Sequence, residues 1–307
     1  MKKQFGEAGP PLGRPGLQIF PEIFKYIECK VGRFILLVFL LLILCIWLVV
    51  RIASASRSNL LIHFLPVGQG DSELIVLPGG ATVLIDGGPP TLDAVRALDA
   101  ALPSGVRSID IVVMTHPQLD HFGGLIDVAK RYKIGAFVSN GLSSDQASFR
   151  ELKKALEDRR VQQITFGAGD SIRYASNTLI ALAPSLNPES VKNQNDAVLV
   201  FELLAKNTKA LFMSDATSDV EDMVEKTAGR VDVLKISHHG SKFSSSETFL
   251  KTTLPKFAFI EVGKNSYGHP TPQVLTRLGE IGARVFRTDR DGFITVRSDG
   301  TMLSVLK

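Results

Sequence analysis

The sequence predicts an α/β fold in which two sheets stack face to face with helices outside them, preceded by one membrane-spanning helix. Three observations lead there. From Leu60 onward, short apolar, β-branched runs alternate with stretches of helical periodicity, and the strand runs dominate. Gly- and Asp-rich turns punctuate those runs. Ahead of them stands an uncharged apolar block, Phe34 to Val50, whose 17 residues lie at the lower edge of the roughly 17–25 that a helix needs to cross a bilayer.

At 307 residues the chain has room for one large domain plus an appendage, and 45% hydrophobic with 21% charged residues suits a globular domain carrying one membrane segment. The formal charge of +4 does not mark a nucleic-acid-binding surface. Residues 1–59 hold eight Lys/Arg against three Glu, a net +5, which leaves the rest of the chain one charge negative. The expected organisation is a cytoplasmic lead over 1–33, a transmembrane anchor over 34–53, a linker over 54–59 and a domain over 60–307. Six Lys/Arg precede the apolar block and two follow it, which puts the N-terminus in the cytoplasm and the domain outside, as a single-pass protein of the cell membrane. Ala53-Ser54-Ala55 is a small-residue cleavage pattern, so a removed signal peptide is the rival; the long lead favours a retained anchor. Cys29 and Cys45 lie in or beside this segment and the domain has none, which excludes a disulfide framework or thiolate metal site there.

The domain opens with strand runs from Leu60 to Leu77 around Gly68-Gln69-Gly70-Asp71. A turn at Pro78-Gly79-Gly80 follows, then a strand, Ala81 to Ile85, that runs into Asp86-Gly87-Gly88. Thr91 to Leu102 carries Leu92, Val95 and Leu98 at helical spacing. Ile109 to Met114 reads as a buried strand that delivers the polar cluster Thr115 to His121; Phe122-Gly123-Gly124 then turns the chain into a helix, Leu125 to Arg131. Ala136 to Val138 is a short strand and Ser148 to Arg160 an amphipathic helix with no chemistry. Val161 to Phe166 and Ile172 to Ala183 are strands around a Gly167–Asp170 turn. A strand pair within Asn193 to Leu204 and Lys209 to Asp215 brings Asp215 to a strand end. Val231 to Ser241 delivers His238 and His239 to another. Neighbours on an extended strand face opposite ways, so one of these two is a direct ligand and the other is free to donate to a substrate oxygen. Ser241 to Ser246 is a polar loop over the site. Phe257 to Val262 leads into Gly263–Pro270, Gln273 to Glu280 is a helix, and Arg284 to Asp289 with Gly292 to Val296 closes the fold.

His116, Asp120 and His121 stand within six residues at the mouth of a strand, which is metal-ligand material. A lone imidazole is commonly a core or surface residue; three candidate ligands at this spacing are not. The pattern resembles the H-x-[HD]-x-D-H signature of the metallo-β-lactamase superfamily, with Gln118 standing where the family has His or Asp. Together with Val67-Gly-Gln-Gly-Asp71, Leu84-Ile-Asp-Gly-Gly88, Ser237-His-His-Gly-Ser241 and Tyr267-Gly-His-Pro270, it resembles the metallo-β-lactamase-like domain of the ComEC family of DNA-internalisation competence proteins over roughly residues 60–307. The resemblance implies an αββα sandwich. It implies His116, Asp120, His121, Asp215 and His239 as metal ligands, with Gln118 a weak one and His239 favoured over His238. It gives Asp71 and Asp86 the task of orienting the metal loop, and Asp120, His238 and His269 catalytic roles. Pro66 departs from the Asp that usually precedes V-G-Q-G-D, and Ser214 from the Gly before Asp215.

Such a mixed nitrogen and oxygen shell suits one or two divalent ions, Zn²⁺ or Mn²⁺, which lower the pKa of bound water and neutralise charge on a phosphoryl oxygen. Because Gln118 is uncharged, the group Asp120, His121, Asp215 and His239 is expected to hold an ion more firmly than the group containing His116 and Gln118. The leading function is a membrane-anchored, extracytoplasmic metal-dependent phosphodiesterase or nuclease of the ComEC type. Its partners would be single-stranded DNA and, with only one apolar span here, a separate membrane channel protein. One alternative is hydrolysis of another ester, such as a cell-wall phosphorylcholine ester or a β-lactam; a single Trp inside the span and four Tyr offer little for a choline cage. The other is a binding module that kept the fold and lost the chemistry, for which Gln118, Pro66 and Ser214 speak.

Overall fold

The computed structural model describes residues 32–49, 58–184 and 193–307. The expected cleavage site Ala53-Ser54-Ala55, Cys29 and most of the cytoplasmic lead and linker fall outside them. The chain divides into two units, residues 1–56 and 57–307. The first is described over one helix, α1 (Gly32–Val49), with mean hydropathy 2.8 and no side chain buried. At about 1.5 Å per residue it is about 27 Å long, close to the ~30 Å hydrocarbon core of a bilayer. By length and composition it can cross a membrane.

The second unit contains fifteen strands and eight helices among the described residues. In chain order they are β1 (Leu60–Phe64), β2 (Glu73–Val76), β3 (Thr82–Ile85), α2 (Asp93–Ala101), β4 (Ser108–Met114), α3 (Leu119–Phe122), α4 (Leu125–Arg131), β5 (Lys133–Ser139), α5 (Ala147–Asp158) and β6 (Gln162–Thr165). Then come β7 (Ser171–Tyr174), β8 (Asn177–Ala183), β9 (Val200–Ala205), β10 (Thr208–Phe212), α6 (Ser218–Ala228), β11 (Val233–Lys235), α7 (Glu247–Thr253), β12 (Phe257–Ile260), α8 (Pro272–Glu280), β13 (Arg284–Arg287), α9 (Thr288–Asp291), β14 (Ile294–Ser298) and β15 (Leu303–Leu306). One sheet runs β15-β14-β1-β2-β3-β4-β5-β6, the other β13-β12-β11-β10-β9-β8-β7.

Alternation along the strands sorts the apolar residues into three layers. Ile62, Phe64, Ile75, Phe201, Phe212, Val233 and Phe259 pack between the sheets. Leu74, Leu84 and Val112, on the opposite face of the first sheet, meet Leu98, Val128 and Leu152 of α2, α4 and α5. Leu211, Leu234 and Ala258 of the second sheet meet Val220, Leu250 and Val274 of α6, α7 and α8. This is the expected αββα sandwich.

Several elements differ from the sequence reading. The run Ile172–Ala183 is a hairpin, because Ala175 turns the chain at φ 52° and Tyr174 pairs with Asn177. The Ala136–Val138 strand extends to seven residues as β5. Ser241–Ser246 does not lie loosely over the site. Ser241, Ser244 and Ser245 are buried, and the Glu221 carboxylate accepts from Ser237 Oγ at 2.8 Å and from the Ser245 and Ser246 amides at 2.5 and 2.9 Å. A polar composition here reflects internal hydrogen bonding, not solvent.

Candidate metal centre

β3 runs parallel to β4, and β10, β11 and β12 run parallel to one another. The segments that follow these strands carry the polar motifs to the carboxyl edge of the sandwich, the usual place for a site in open α/β sheets. Glycine permits their close approach. A Cβ on Gly70 would lie 2.2 Å from the Asp120 carbonyl oxygen, and one on Gly124 2.0 Å from that of Gly87. These glycines therefore let the metal loop lie backbone against backbone on the segments around Gly70 and Gly87.

Asp120, His121, Asp215 and His239 bring one ligand atom each to within 4.8 Å of one another. His121 Nε2 is 3.4 Å from Asp215 Oδ2, and His239 Nε2 is 3.6 Å from Asp215 Oδ1 and 3.8 Å from Asp120 Oδ2. Each ring is fixed from behind. His121 Nδ1 donates to Asp86 Oδ2 at 2.8 Å, and His239 Nδ1 donates to the Glu261 carbonyl at 2.8 Å, with Asp71 Oδ1 3.3 Å away. Both Nε2 atoms and Asp215 Oδ1 are buried and without a hydrogen bond. Orphaned buried polar atoms are costly, and three converging on one point, with a carboxylate from Asp120, form a donor set that fits a divalent cation.

The electrostatics agree. Burial opposes charge on His239, yet Asp215 and Asp71 outweigh it and lift the ring to about 10. Burial likewise opposes charge on His121, and Asp215 and Asp86 carry it well above the histidine range. Burial would raise Asp215, but His239 and His121 hold it well below the carboxylate range. A field that holds protons this firmly on two imidazoles also attracts a metal cation in their place.

His238 and His239 do not sit on an extended strand. β11 ends at Lys235, and both histidines lie in a tight turn with left-handed φ of 49° and 53°. Strict alternation therefore fails, and both rings face Asp215: His238 Nε2 is 3.6 Å from Asp215 Oδ2. They differ in depth, His239 being buried and His238 about a third exposed. His269 stands beyond His238, ring centroids 5.8 Å apart. Burial, then His238 and His239, keep its pKa below the ordinary histidine value. These residues line an open cleft of about 450 Å³ with Gln69, Gln118, Asp120, Asp215 and Tyr267.

His116 hangs on the same Asp86 carboxylate as His121, but only through Thr115, and Gln118 makes a separate contact. The Asp86 carboxylate accepts from the Thr115 amide at 2.8 Å and from the Thr115 hydroxyl at 2.6 Å. That hydroxyl in turn accepts from His116 Nδ1 at 3.0 Å and from Ser214 Oγ at 2.7 Å. The chain of donors leaves His116 Nε2 bare, buried and unpartnered. Burial and then His121 push His116 down to about 4, so it is a neutral imidazole with no carboxylate of its own. Gln118 Nε2 donates to Asn195 Oδ1 at 2.7 Å. Ser214 has φ 50°, a conformation that glycine adopts freely; here its hydroxyl ties it to Thr115. Pro66 is half-buried and does not line the cleft.

The sequence reading missed the floor of the site. Lys235 is fully buried on the inter-sheet face of β11, ion-paired to Asp71 Oδ2 and donating to the Ser214 carbonyl at 3.2 Å. Glu73 and Glu261, both buried, lie beside Asp71. Burial raises both, Glu73 well above the carboxylate range and Glu261 to about 7, while Lys235 stays firmly charged because the carboxylates outweigh its burial. The signal was available: a lysine at an inward position of an otherwise apolar strand run must have a buried partner.

Residues 81–240 match the sequence model of a family described as a beta-lactamase superfamily domain. The chain is 28% identical over 257 residues to ComE operon protein 3 of Bacillus subtilis (strain 168), covering 77% of this chain and 33% of that protein. It is 29% identical over 231 residues to Competence protein ComA of Neisseria gonorrhoeae, covering 73% and 30%. The chain thus spans about a third of the length of these relatives. Among solved structures, the metallo-beta-lactamase fold protein YhfI from Bacillus subtilis has a TM-score of 0.55 at 10% identity, covering 78% of this chain and 100% of that one. CmlA, a diiron beta-hydroxylase from Streptomyces venezuelae, has a TM-score of 0.52 at 15% identity, covering 81% and 54%. At such identities these two structures establish the fold alone.

Proposed function

The chain belongs to the metallo-β-lactamase superfamily, and on that footing we propose that it is a membrane-anchored, extracytoplasmic metal-dependent phosphodiesterase acting on nucleic acid. One observation carries this reading: Asp120, His121, Asp215 and His239 close around a single point at the base of an open cleft. Asp120, His121, Asp215 and His239 would hold the ion, Zn²⁺ or Mn²⁺, with Asp86 and Asp71 orienting the two rings. A divalent ion supplies Lewis acidity toward a phosphoryl oxygen and lowers the pKa of water in contact with it.

The chain's own groups do the rest. Asp120, the least buried of the four residues, faces the cleft and can accept a proton from an incoming nucleophile. His238 Nε2 is exposed enough to donate to an oxygen of the substrate, and its neighbour His269 can pass a proton to a leaving oxygen. α1 supports the anchor, and the charge bias around it supports an outward-facing domain. Kinship with competence proteins makes DNA, single-stranded foremost, the favoured substrate. With one such helix among the described residues, passage of DNA would need a separate membrane channel protein.

A second reading keeps one specific observation in its favour. Gln118 is a neutral amide whose Nε2 donates to Asn195; it brings no charge to the half of the centre containing His116, and a weakened enzyme grades into a binding module. The test is hydrolysis of single- and double-stranded DNA and a bis-aryl phosphodiester by the full chain in detergent, with Mn²⁺ or Zn²⁺, beside Asp120→Ala. Metal-dependent cleavage that drops on the order of a hundredfold or more in Asp120→Ala is the expected outcome. Equal cleavage by both proteins would overturn the reading, and no cleavage by either would favour the binding module.

A further inference from the structure

Four rings lead from the metal group to solvent. The centroids of His239 and His238 are 6.1 Å apart, those of His238 and His269 5.8 Å, and those of His269 and Tyr267 5.7 Å. The last pair is near-parallel, at 30°, and the series runs from buried His239 through half-buried His238 and His269 to Tyr267, which is 73% exposed. An aromatic ring this bare on a floppy loop would be unremarkable. This loop is pinned. Asn265 Oδ1 accepts from the Tyr267 and His269 amides at 3.1 and 3.0 Å, and Asn265 Nδ2 donates to the Gly263 and His269 carbonyls, both at 2.9 Å. Other exposed aromatics of the domain are engaged: Lys242 Nζ lies 5.0 Å from the Phe243 ring centroid, and the Tyr174 hydroxyl donates to Gly79. Tyr267 therefore presents an exposed π-face at the cleft mouth from a loop whose backbone is pinned.

The cleft wall adds a second fact. Among the described residues, no Lys or Arg lines it; its polar side chains are amides, carboxylates, imidazoles and the Tyr267 phenol. A polyanion cannot be held there by rows of phosphate-to-cation pairs, which is how duplex DNA is usually gripped. Affinity has to come from elsewhere, and stacking on an aromatic ring is available to every base that is not already paired and stacked within a duplex.

We propose that Tyr267 is the platform on which an unpaired nucleobase of the substrate stacks, so that the site selects single-stranded nucleic acid by its bases and not by its charge. The proposal rests on the phosphodiesterase reading and names the part of the substrate that this site recognises beyond the scissile phosphate. Stacking holds the strand in register with His269 and His238, and a duplex, whose bases are already occupied, is taken poorly.

The test measures binding and cleavage separately, using the full chain in detergent and a short fluorescein-labelled single strand of DNA, the same strand with abasic sites, and a duplex. In anisotropy titrations Tyr267→Ala is expected to weaken binding of the base-bearing strand about tenfold and of the abasic strand less than about twofold, with Tyr267→Phe retaining most of the affinity. The salt dependence of wild-type binding should be shallow. In cleavage the same tenfold loss should appear in KM with kcat nearly held. Equal binding of base-bearing and abasic strands by the wild type, or an equal loss on both in Tyr267→Ala, would overturn the proposal, as would absence of binding to any strand. Tyr267-dependent binding without cleavage would instead defeat the phosphodiesterase reading and uphold the platform.

Discussion

Two histidines of one six-residue motif, His116 and His121, are both buried, both bare at Nε2 and 4.2 Å apart by ring centroid, yet their surroundings are opposite. His121 is backed by Asp86 and faces Asp215. His116 is backed by the Thr115 hydroxyl, and the next polar side chain along the motif is the neutral Gln118, whose Nε2 donates to Asn195. On the proposed reading the carboxylates decide where a cation settles, and the imidazoles only mark where it could. Gln118 stands where the family carries His or Asp, and its neutrality leaves one half of the centre without the charge that would hold a second ion.

The largest effect expected from this contrast is on metal content. After dialysis the wild type should retain about one equivalent, Asp215→Asn essentially none, and Gln118→Asp should rise toward about two, as read by elemental analysis of the purified chain. Two firm equivalents in the wild type would erase the difference between the halves.

A smaller effect is on the stability of the metal-stripped protein. The folded pKa of His239 is raised from 6.5 to about 10, so its contribution is fully present below about pH 6.5 and is lost as pH rises through about 10. The opposite displacement of Asp215 is the same interaction seen from its other end and is counted once. Stability should therefore fall by on the order of a few kcal/mol between about pH 6.5 and 10, measured by denaturant midpoints. Metal should remove most of that slope, since it replaces the proton. A flat profile in the stripped protein would mean that the carboxylates do not hold the ring in the way the geometry requires.

The smallest effect concerns the bridge between the halves. Ser214→Gly relieves a left-handed backbone of about 1–2 kcal/mol and removes a hydrogen bond to Thr115 worth about 0.5–1.5 kcal/mol. The net change in unfolding free energy should stay within about 1 kcal/mol. A larger loss would show that the Thr115 network, and not the backbone, governs this position.

The sandwich and the metal motif were legible because they rest on local patterns: period-two strands, and ligands crowded within one turn. His239 and Asp215 were legible by resemblance, each being the polar end of an apolar run. The geometry of His238 and His239 was not, because left-handed φ at both positions cancels the alternation that a strand would impose. Lys235 carries a signal in its inward position, but Glu73 and Glu261 each look like an ordinary charged residue until segments distant in sequence place them beside Asp71. The Gln118–Asn195 contact spans 77 positions and leaves no local trace.

Lys235 has one more consequence. Since the Lys235 ammonium is covalently attached and pairs with Asp71, the charge of that carboxylate is balanced before any ion arrives. Maturation can then proceed in a fixed order, shape first and ion later. On the proposed reading, a chain in surroundings starved of metal would keep its architecture and take up an ion when the supply returns.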